Sequence, residues 1–241
     1  ATRMRRQIKE LDTRLADLES TEQVAVLRLT ERTINLNDSM QRVVEMAGLD
    51  VDKLVQADTT VPKGQGGPFI AATPDGKSAS KLKAGLTDLE QHLQLSEDLQ
   101  DIMRRLPMAP PLTSYRVTST FGKRRDPLNN KWAAHYGLDM ASPFKSPVYV
   151  AAPGVVVFAG WNGKFGKMIE IDHGAGVKTR FGHLNKILVK KGQQVNFRDK
   201  IGLLGSTGRS TGAHLHYEVI FKGRSMNPLK FFKAGRYVFQ E

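Results

Sequence analysis

The apolar positions of the first part of the chain predict one long helix. They recur at alternating spacings of four and three residues, with two interruptions, which is the heptad pattern of a coiled-coil seam. The apolar seam positions are Met4, Ile8, Leu11, Leu15, Leu18, Ala25, Leu29 and Leu36. The same register places Glu22 and Arg32 on the seam, so the repeat is imperfect after its first two heptads. We therefore predict a long helix and coiled coil over residues 1–57, with Gly48 as an end or a break.

A second apolar stripe predicts a helix over residues 81–106. It consists of Leu82, Leu86, Leu89, Leu93, Leu99, Met103 and Leu106. Residues 58–80 contain three prolines and several glycines, which predict a loop. Two amphipathic helices joined by a loop predict a helical hairpin whose apolar faces bury each other. The sequence leaves open whether the coiled coil pairs within one chain or between two chains.

From residue 115 to residue 232 the pattern becomes that of a β domain. Short runs rich in β-branched and aromatic residues alternate with Gly, Pro and Asn turns. Seven or more such runs predict an antiparallel sandwich or barrel-like all-β domain, and hence an α+β multi-domain chain. Three prolines in residues 107–114 end the second helix and mark a linker. Residues 233–241 form a tail that carries no functional signal.

Charge and cysteine content narrow the chemistry. The formal net charge is +12, and the residues from 107 onward hold 21 Lys and Arg against 7 Asp and Glu. Such a basic domain is attracted to a polyanion such as nucleic acid, anionic lipid or anionic cell-wall polymer, although a merely soluble basic surface is an equal alternative. We expect no nucleic acid, because the aromatic-basic motifs of single-strand binders are missing. The chain has no cysteine, so only His, Asp and Glu remain as metal-ligating side chains.

One histidine pair stands out near the end of the β domain. His214 and His216 are two residues apart in a strand-like run, so both imidazoles point to one face, about 7 Å apart. Two imidazoles that converge on a small volume indicate metal binding, acid–base catalysis, or both. Glu218 shares that face and is either a carboxylate that orients an imidazole or a plain strand residue.

Two further segments supply candidate ligands. His135 and Asp139 are four residues apart, which is about 13 Å on a straight strand and too far to share an ion. Gly137 between them permits a sharp bend that would bring both side chains to one metal. His183 follows another strand-like run. Together with the pair, these residues make a plausible catalytic zinc site in which one coordination position is left for water.

The remaining polar candidates have simpler interpretations. His173 lies in a predicted turn and is expected to be structural, and His92 is expected at the surface of the second helix. Three arginines either meet anionic groups of a cell wall or are solvated: Arg124, Arg125 and Arg209. The most apolar run, residues 148–160, is too short to span a bilayer, so a membrane anchor is expected only upstream of these residues.

The ordered motifs from about Pro111 to Phe232 resemble the lysostaphin/LytM class of zinc metallopeptidases, which cleave peptide cross-links in bacterial peptidoglycan. The matching elements include Ser119-Thr-Phe-Gly-Lys-Arg, Arg125-Asp-Pro127, His135-Tyr-Gly-Leu-Asp139, Ala152-Pro-Gly-Val155, Asp172-His-Gly174, Gly182-His-Leu184, Gly205-Ser-Thr-Gly-Arg-Ser-Thr-Gly-Ala-His-Leu-His216 and Asn227-Pro228. Two positions depart from the family pattern. Ala213 replaces the usual Pro before the histidine pair, and Phe181 replaces a common Tyr, but neither change removes a ligand.

The resemblance implies a role for each site residue. The ligands of one zinc ion would be His135, Asp139 and His216, whereas His183 and His214 would flank the attacking water. It implies an endopeptidase that acts on peptidoglycan, at a D-Ala–diaminopimelate bond, in the bacterial cell envelope. The expected location is the periplasm, with an inner-membrane anchor upstream of these residues.

Two further hypotheses concern the helical extension. Some members of the class have lost their metal ligands and activate cell-wall amidases, as scaffolds, through a coiled coil. All five site residues are present here, which argues against that alternative, although the coiled coil could still bind a protein partner or a second copy. The slightly acidic extension could also fold over the site of the basic domain and inhibit it.

Overall fold

The computed structural model describes residues 2–58, 77–125 and 131–238. It divides into two compact units. The helical unit comprises the described parts of residues 1–40 and 62–100, and the β unit comprises those of residues 41–61 and 101–241. The unit boundary therefore lies inside helices, and not at the prolines of residues 107–114. Most of the loop predicted over residues 58–80 lies outside the described residues.

The long helix predicted over residues 1–57 is divided into two. Helix α1 spans Thr2–Met46, and helix α2 spans Val51–Asp58. Gly48 ends α1 with a φ of 82°, in the left-handed region that favours glycine. Its backbone N–H donates to the Glu45 carbonyl, and the Leu49 N–H donates to the Val44 carbonyl, which together form a Schellman cap. Asp50 then caps α2 by accepting from the backbone N–H of Lys53.

Helix α3 spans Lys77–Arg105 and runs in the same direction as α1 within the helical unit. The Asn37 side-chain amide donates to the His92 carbonyl at 2.9 Å. Further towards both N-termini, a Cβ added at Gly85 would lie 3.3 Å from Cγ1 of Val26. Residue numbers on both helices thus increase in the same direction along the contact. The pair is therefore parallel, and does not fold back as the two arms of the predicted helical hairpin. None of the described helices has the length and hydropathy that a bilayer-spanning segment requires.

The described part of the β unit contains thirteen strands. They are β1 (Arg116–Ser119), β2 (Gly122–Arg125), β3 (Trp132–His135), β4 (Leu138–Ala141), β5 (Pro147–Tyr149), β6 (Gly154–Trp161), β7 (Lys167–Gly174), β8 (Val177–Leu184), β9 (Lys186–Ile187), β10 (Gln194–Val195), β11 (Lys200–Leu203), β12 (Leu215–Phe221) and β13 (Arg224–Met226). A 3₁₀ turn at Gly163–Phe165 joins β6 to β7. Helix α4 spans Pro228–Val238, so the predicted tail begins as the last turns of a helix.

Every described strand pairing is antiparallel, as predicted. The main sheet has the order β1-β4-β12-β8-β7-β6-β10, with β13 beside β12, while β5-β11-β9 and β2-β3 form two smaller sheets. The main sheet is open, because its terminal strands β1 and β10 do not pair with each other. The domain is therefore not a closed barrel.

The core of the β unit holds β12 rigidly in the middle of the main sheet. Tyr217 is fully buried, stacks on Phe232 of α4 and contacts Phe181 of β8 with its ring tilted. The expected linker over residues 107–114 is packed against the same unit, since Leu112 is buried and the Pro111 carbonyl accepts from Tyr149. These contacts fix β12 between β4, which carries Asp139, and β8, which carries His183.

Candidate metal centre

Three buried side chains from three strands offer ligand atoms to one point. Those of His135, Asp139 and His216 all lie within 4.8 Å of one another. Oδ1 of Asp139 is 3.1 Å from Nε2 of His135 and 2.7 Å from Nδ1 of His216, and the two nitrogens are 3.2 Å apart. Ligand atoms of a tetrahedral zinc ion with bonds of about 2 Å lie ~3.3 Å apart. The donor set therefore fits zinc in both chemistry and spacing.

Local chain geometry explains how residues four apart reach one point. His135 ends β3 in the two-stranded sheet, whereas Asp139 lies in β4 of the main sheet, directly opposite His216 of β12. Gly137, between the two strands, has no room for a side chain. A Cβ there would lie 2.6 Å from the Tyr217 carbonyl oxygen and 2.7 Å from Cε1 of His216. Glycine is required at this position because the Tyr217 carbonyl and the His216 ring pass so close to it. Backbone conformation is not the reason, since the φ of Gly137 is not in the left-handed region.

Hydrogen bonds at the rear of each ligand imidazole fix its tautomer. Nδ1–H of His135 donates to the Thr120 carbonyl at 2.8 Å, which leaves Nε2 as the metal-facing nitrogen. His216 is arranged the other way round: Nε2–H donates to Glu218 Oε1 at 3.1 Å and leaves Nδ1 facing Asp139. Such partners orient the ring and raise the basicity of the ligating nitrogen.

His183 and His214 complete the cluster from two other chain segments. Their ring centroids are 4.8 Å apart, and the ring of His183 is 5.9 Å from that of His216. Nδ1–H of His183 donates to the Thr207 carbonyl, and Nδ1–H of His214 donates to the Gly212 carbonyl, both at 2.8 Å. In neutral rings each Nε2 is then free of a proton. His183 also has a φ of 62°, a left-handed conformation that is costly for a non-glycine residue and often found at active sites.

Burial and the ligand contacts shift the pKa values of the cluster. Burial alone would raise the pKa of Asp139, but hydrogen bonds from His135 and His216 together lower it well below its usual range. Burial would lower the pKa of His216, yet its bonds to Asp139 and Glu218 raise it to about 9. Burial lowers the pKa of His183 to about 4, so its imidazole is neutral at pH 7. Asp139 is therefore a permanent carboxylate and His183 a proton acceptor.

A row of charged residues continues from Glu218 across the sheet. Glu218, Arg180 and Glu170 lie opposite one another on β12, β8 and β7. The Arg180 guanidinium donates to Oε2 of Glu218 at 3.3 Å and also to Glu170. The sequence left Glu218 open between an orienting carboxylate and a plain strand residue, and its contacts identify it as the former.

The ligand cluster lies in an open cleft of about 480 Å³. Three cationic side chains line the cleft: Arg124, Lys164 and Arg209. Arg124 was predicted to contact the wall or to be solvated, but its guanidinium also donates to Oδ2 of Asp139 at 3.3 Å. Phe165, 5.6 Å from the ring of His216, had no sequence signal at all. His173 is buried outside the cleft with both ring nitrogens hydrogen-bonded, in agreement with its predicted structural role.

Comparisons with known proteins point to one family. Residues 133–228 match the model of "Peptidase family M23". The peptidoglycan DD-endopeptidase ShyA of Vibrio cholerae is 44% identical over 135 residues, which are 56% of this chain and 31% of that protein. The DD-carboxypeptidase/endopeptidase Mpg of Neisseria meningitidis is 42% identical over 119 residues, 49% of this chain and 27% of Mpg. The chain thus spans less than a third of the length of these curated relatives.

Solved structures give matches of the same extent. A zinc-containing peptidase from Vibrio cholerae is 40% identical, with a TM-score of 0.48, over 51% of this chain and 38% of that one. The catalytic domain of lysostaphin from Staphylococcus simulans is 30% identical, with a TM-score of 0.46, over 49% of this chain and 92% of that domain.

Proposed function

Residues 133–228 form a domain of peptidase family M23, and from this premise we propose that the chain is a zinc-dependent endopeptidase that hydrolyses peptide cross-links of bacterial peptidoglycan. The observation that carries the proposal is the convergence of His135, Asp139 and His216 on one zinc-sized point. Beside that point stand two imidazoles whose Nδ1 atoms are already engaged by backbone carbonyls.

The three ligand residues would hold the ion by Nε2 of His135, Oδ1 of Asp139 and Nδ1 of His216. When bound, zinc supplies a Lewis acid that acidifies a water and polarises a carbonyl. The hydrogen bonds at the rear of the two imidazoles direct these three atoms to one point, and zinc binding would require loss of the proton that a pKa of about 9 keeps on the His216 ring at pH 7. Arg124, through its bond to Oδ2 of Asp139, holds the carboxylate so that Oδ1 faces the histidines.

His183 and His214 carry the proton transfers. The neutral Nε2 of His183 can accept the proton that the attacking water loses, because burial keeps the pKa of this ring low. Nε2 of His214 is 3.8 Å from Oδ1 of Asp139, where the imidazolium form of the ring, which donates from both nitrogens, can stabilise the negative charge that develops on the carbonyl oxygen. The accepted proton finally goes to the amine when the peptide C–N bond breaks.

The cleft and the relatives together support a choice of substrate. The cationic residues that line the cleft suit a peptide with free carboxylates, as the stem peptides of peptidoglycan have. ShyA, 44% identical in the matched region, is named a peptidoglycan DD-endopeptidase, and we propose the D-Ala–diaminopimelate cross-link for this chain. This activity places it in the cell envelope, and the periplasm is the proposed compartment. An upstream anchor and inhibition by the helical unit stay predictions.

The proposal is tested by the zinc content of the purified chain and by the fragments it releases from purified peptidoglycan. We expect about one zinc per chain and release of cleaved cross-links, with both lost in His216→Ala. Mass spectrometry of the fragments identifies the bond that is cut. A folded wild-type chain that binds no zinc and releases nothing would reject the proposal.

A further inference from the structure

The helical unit exposes an apolar face along α1. The predicted seam residues are not covered by α3: Leu18, Leu29 and Leu36 are 57%, 52% and 48% exposed. Helix α3 instead packs on a neighbouring face of α1, which contains Val26 and Asn37. The coiled-coil seam and the internal helix contact are therefore two separate surfaces.

Helix α3 extends the exposed face. Val26 and Asn37 contact Gly85 and His92, and each of these four residues has an exposed neighbour. On α1 the exposed neighbours precede the contact residues: Ala25 comes before Val26, and Leu36 before Asn37. On α3 they follow them: Leu86 comes after Gly85, and Leu93 after His92. One residue corresponds to a turn of 100°, so in two parallel helices one step back on α1 and one step forward on α3 point to the same side of the pair.

We propose that this face, formed by Leu18, Ala25, Leu29 and Leu36 of α1 with Leu86 and Leu93 of α3, binds a second copy of this chain in antiparallel orientation. The seam itself indicates the arrangement. In an antiparallel pair whose twofold axis is level with Leu27, each residue lies opposite the residue of the other copy that is equally far from Leu27 on its other side. Leu18 then meets Leu36 of the second copy, and Ala25 meets Leu29.

The two charged interruptions of the seam decide between the orientations. Glu22 and Arg32 are each five residues from Leu27, so in the antiparallel pair each faces its opposite charge. A parallel, in-register pair would instead place Glu22 against Glu22 and Arg32 against Arg32. Like charges in an interface are strongly unfavourable, and side-chain size favours the same choice, because the small Ala25 faces the large Leu29. The imperfections of the heptad pattern thus become complementary contacts.

The same axis also accounts for the exposed Leu86 of α3. Because Val26 is level with Gly85, the axis at Leu27 is level with Leu86. Leu86 therefore lies beside its own copy, and both pairs of helices close into a four-helix bundle. Three apolar pairs then cross the interface: Leu18 with Leu36, Ala25 with Leu29, and Leu86 with its own copy.

A charge-swap series tests the interface in the full chain. We expect the wild-type chain to sediment as a dimer, and Glu22→Arg and Arg32→Glu each to weaken dimerisation by about tenfold or more. The double variant Glu22→Arg/Arg32→Glu restores opposite charges and should dimerise as the wild type does. Circular dichroism shows whether each variant keeps its helices. A monomeric wild type, or a dimer that single swaps leave unchanged, would overturn the proposal.

Cysteine cross-linking tests the orientation separately, because the chain contains no cysteine of its own. In the antiparallel dimer Leu18→Cys of one chain meets Leu36→Cys of another, whereas identical positions are ~27 Å apart along the helix. Oxidation of the mixed variants should therefore give a disulfide-linked pair, and oxidation of either variant alone should not. Cross-linking of each variant with itself would show a parallel dimer and overturn the antiparallel arrangement.

Discussion

Glu218 accepts a hydrogen bond from Nε2 of His216 at 3.1 Å, on the side of the imidazole opposite the metal-facing Nδ1. The two residues are two apart on β12, so they share a face of the sheet. Arg180 holds the other oxygen of the same carboxylate at 3.3 Å. A strand therefore supplies both a ligand and the group that orients it, with an ion pair behind them.

The first prediction concerns this support. Glu218→Gln keeps the size of the side chain but removes its charge, which weakens the hold on the Nε2–H tautomer of His216. We expect the affinity for zinc to fall by about 10- to 100-fold, as is typical when such a partner is removed, while the fold is retained. Competition with a chromophoric chelator measures the affinity without recourse to activity.

Glu170→Gln is the matched control for this prediction. Glu170 pairs with Arg180 from the opposite side but does not contact His216. Its substitution should leave zinc affinity close to that of the wild type. Equal affinities for wild type and Glu218→Gln would show that the carboxylate is only a structural strand residue.

The second prediction separates metal binding from proton transfer. His183→Asn should retain zinc but lower the rate of cross-link cleavage by about 10²- to 10⁴-fold. Asn is chosen because it tolerates the left-handed φ of 62° at this position better than most residues. Asp139→Asn, in contrast, should lose the metal, because it removes the charge that two histidines contact. Loss of zinc from His183→Asn would make His183 a ligand, contrary to the proposed role.

The site could be predicted from the sequence because most of its residues lie in or beside short strands, in which side chains alternate between two faces. The spacing of His214 and His216 alone predicted that both lie on one face. His216 lies in β12, and His214, in a bridge with Gly205 just before that strand, reaches the same cluster. The resemblance then supplied roles that spacing could not. Gly137 was predicted to bring His135 and Asp139 together by permitting a bend. In the structure glycine is needed there because His216 approaches closely, a tertiary contact that the sequence does not show.

The helical part was harder to predict, because an apolar stripe on a helix does not indicate which surface covers it. The stripe of α1 was expected to cover α3, whereas the contact with α3 runs through Val26 and Asn37. Loop length also allowed either direction for α3. The packing of residues 107–114 was missed because prolines mark the end of a helix but not the surface on which the chain then lies.

The third prediction uses the tight space at Gly137. Gly137→Ala would place a methyl group 2.6 Å from the Tyr217 carbonyl oxygen, so β12 or the loop must move. We expect loss of zinc binding and a free energy of unfolding lower by about 2 kcal/mol or more. Gly160→Ala, in β6 of the same sheet, is the control, because the nearest atom to its Cβ would be 3.6 Å away. Similar effects of both substitutions would contradict this explanation.

The fourth prediction concerns the fully buried Tyr217. Its hydroxyl has no hydrogen-bond partner among the residues that the structure describes, and burial raises the pKa of the phenol. Tyr217→Phe removes this unsatisfied group and keeps the ring stacked on Phe232, so the free energy of unfolding should rise by about 1 kcal/mol. Tyr217→Leu, which loses the stacking, should lower it. Urea denaturation of the metal-free chain measures both, and a less stable Phe variant would disprove the argument.

The last prediction is a pH dependence that His173 causes. Burial lowers the pKa of His173 in the folded chain below the value of 6.5 that the unfolded chain has. Below that pH the unfolded chain binds a proton that the folded chain does not, so this contribution to stability is present above pH 6.5 and is lost as the pH falls. Nδ1–H donates to the Pro153 carbonyl and Nε2 accepts from Thr179, two bonds that a glutamine amide can reproduce without titrating. His173→Gln should therefore lose less stability than the wild type between about pH 7.5 and pH 5 in urea denaturation of the metal-free chain. An identical slope in the wild type and in His173→Gln would show that His173 does not contribute.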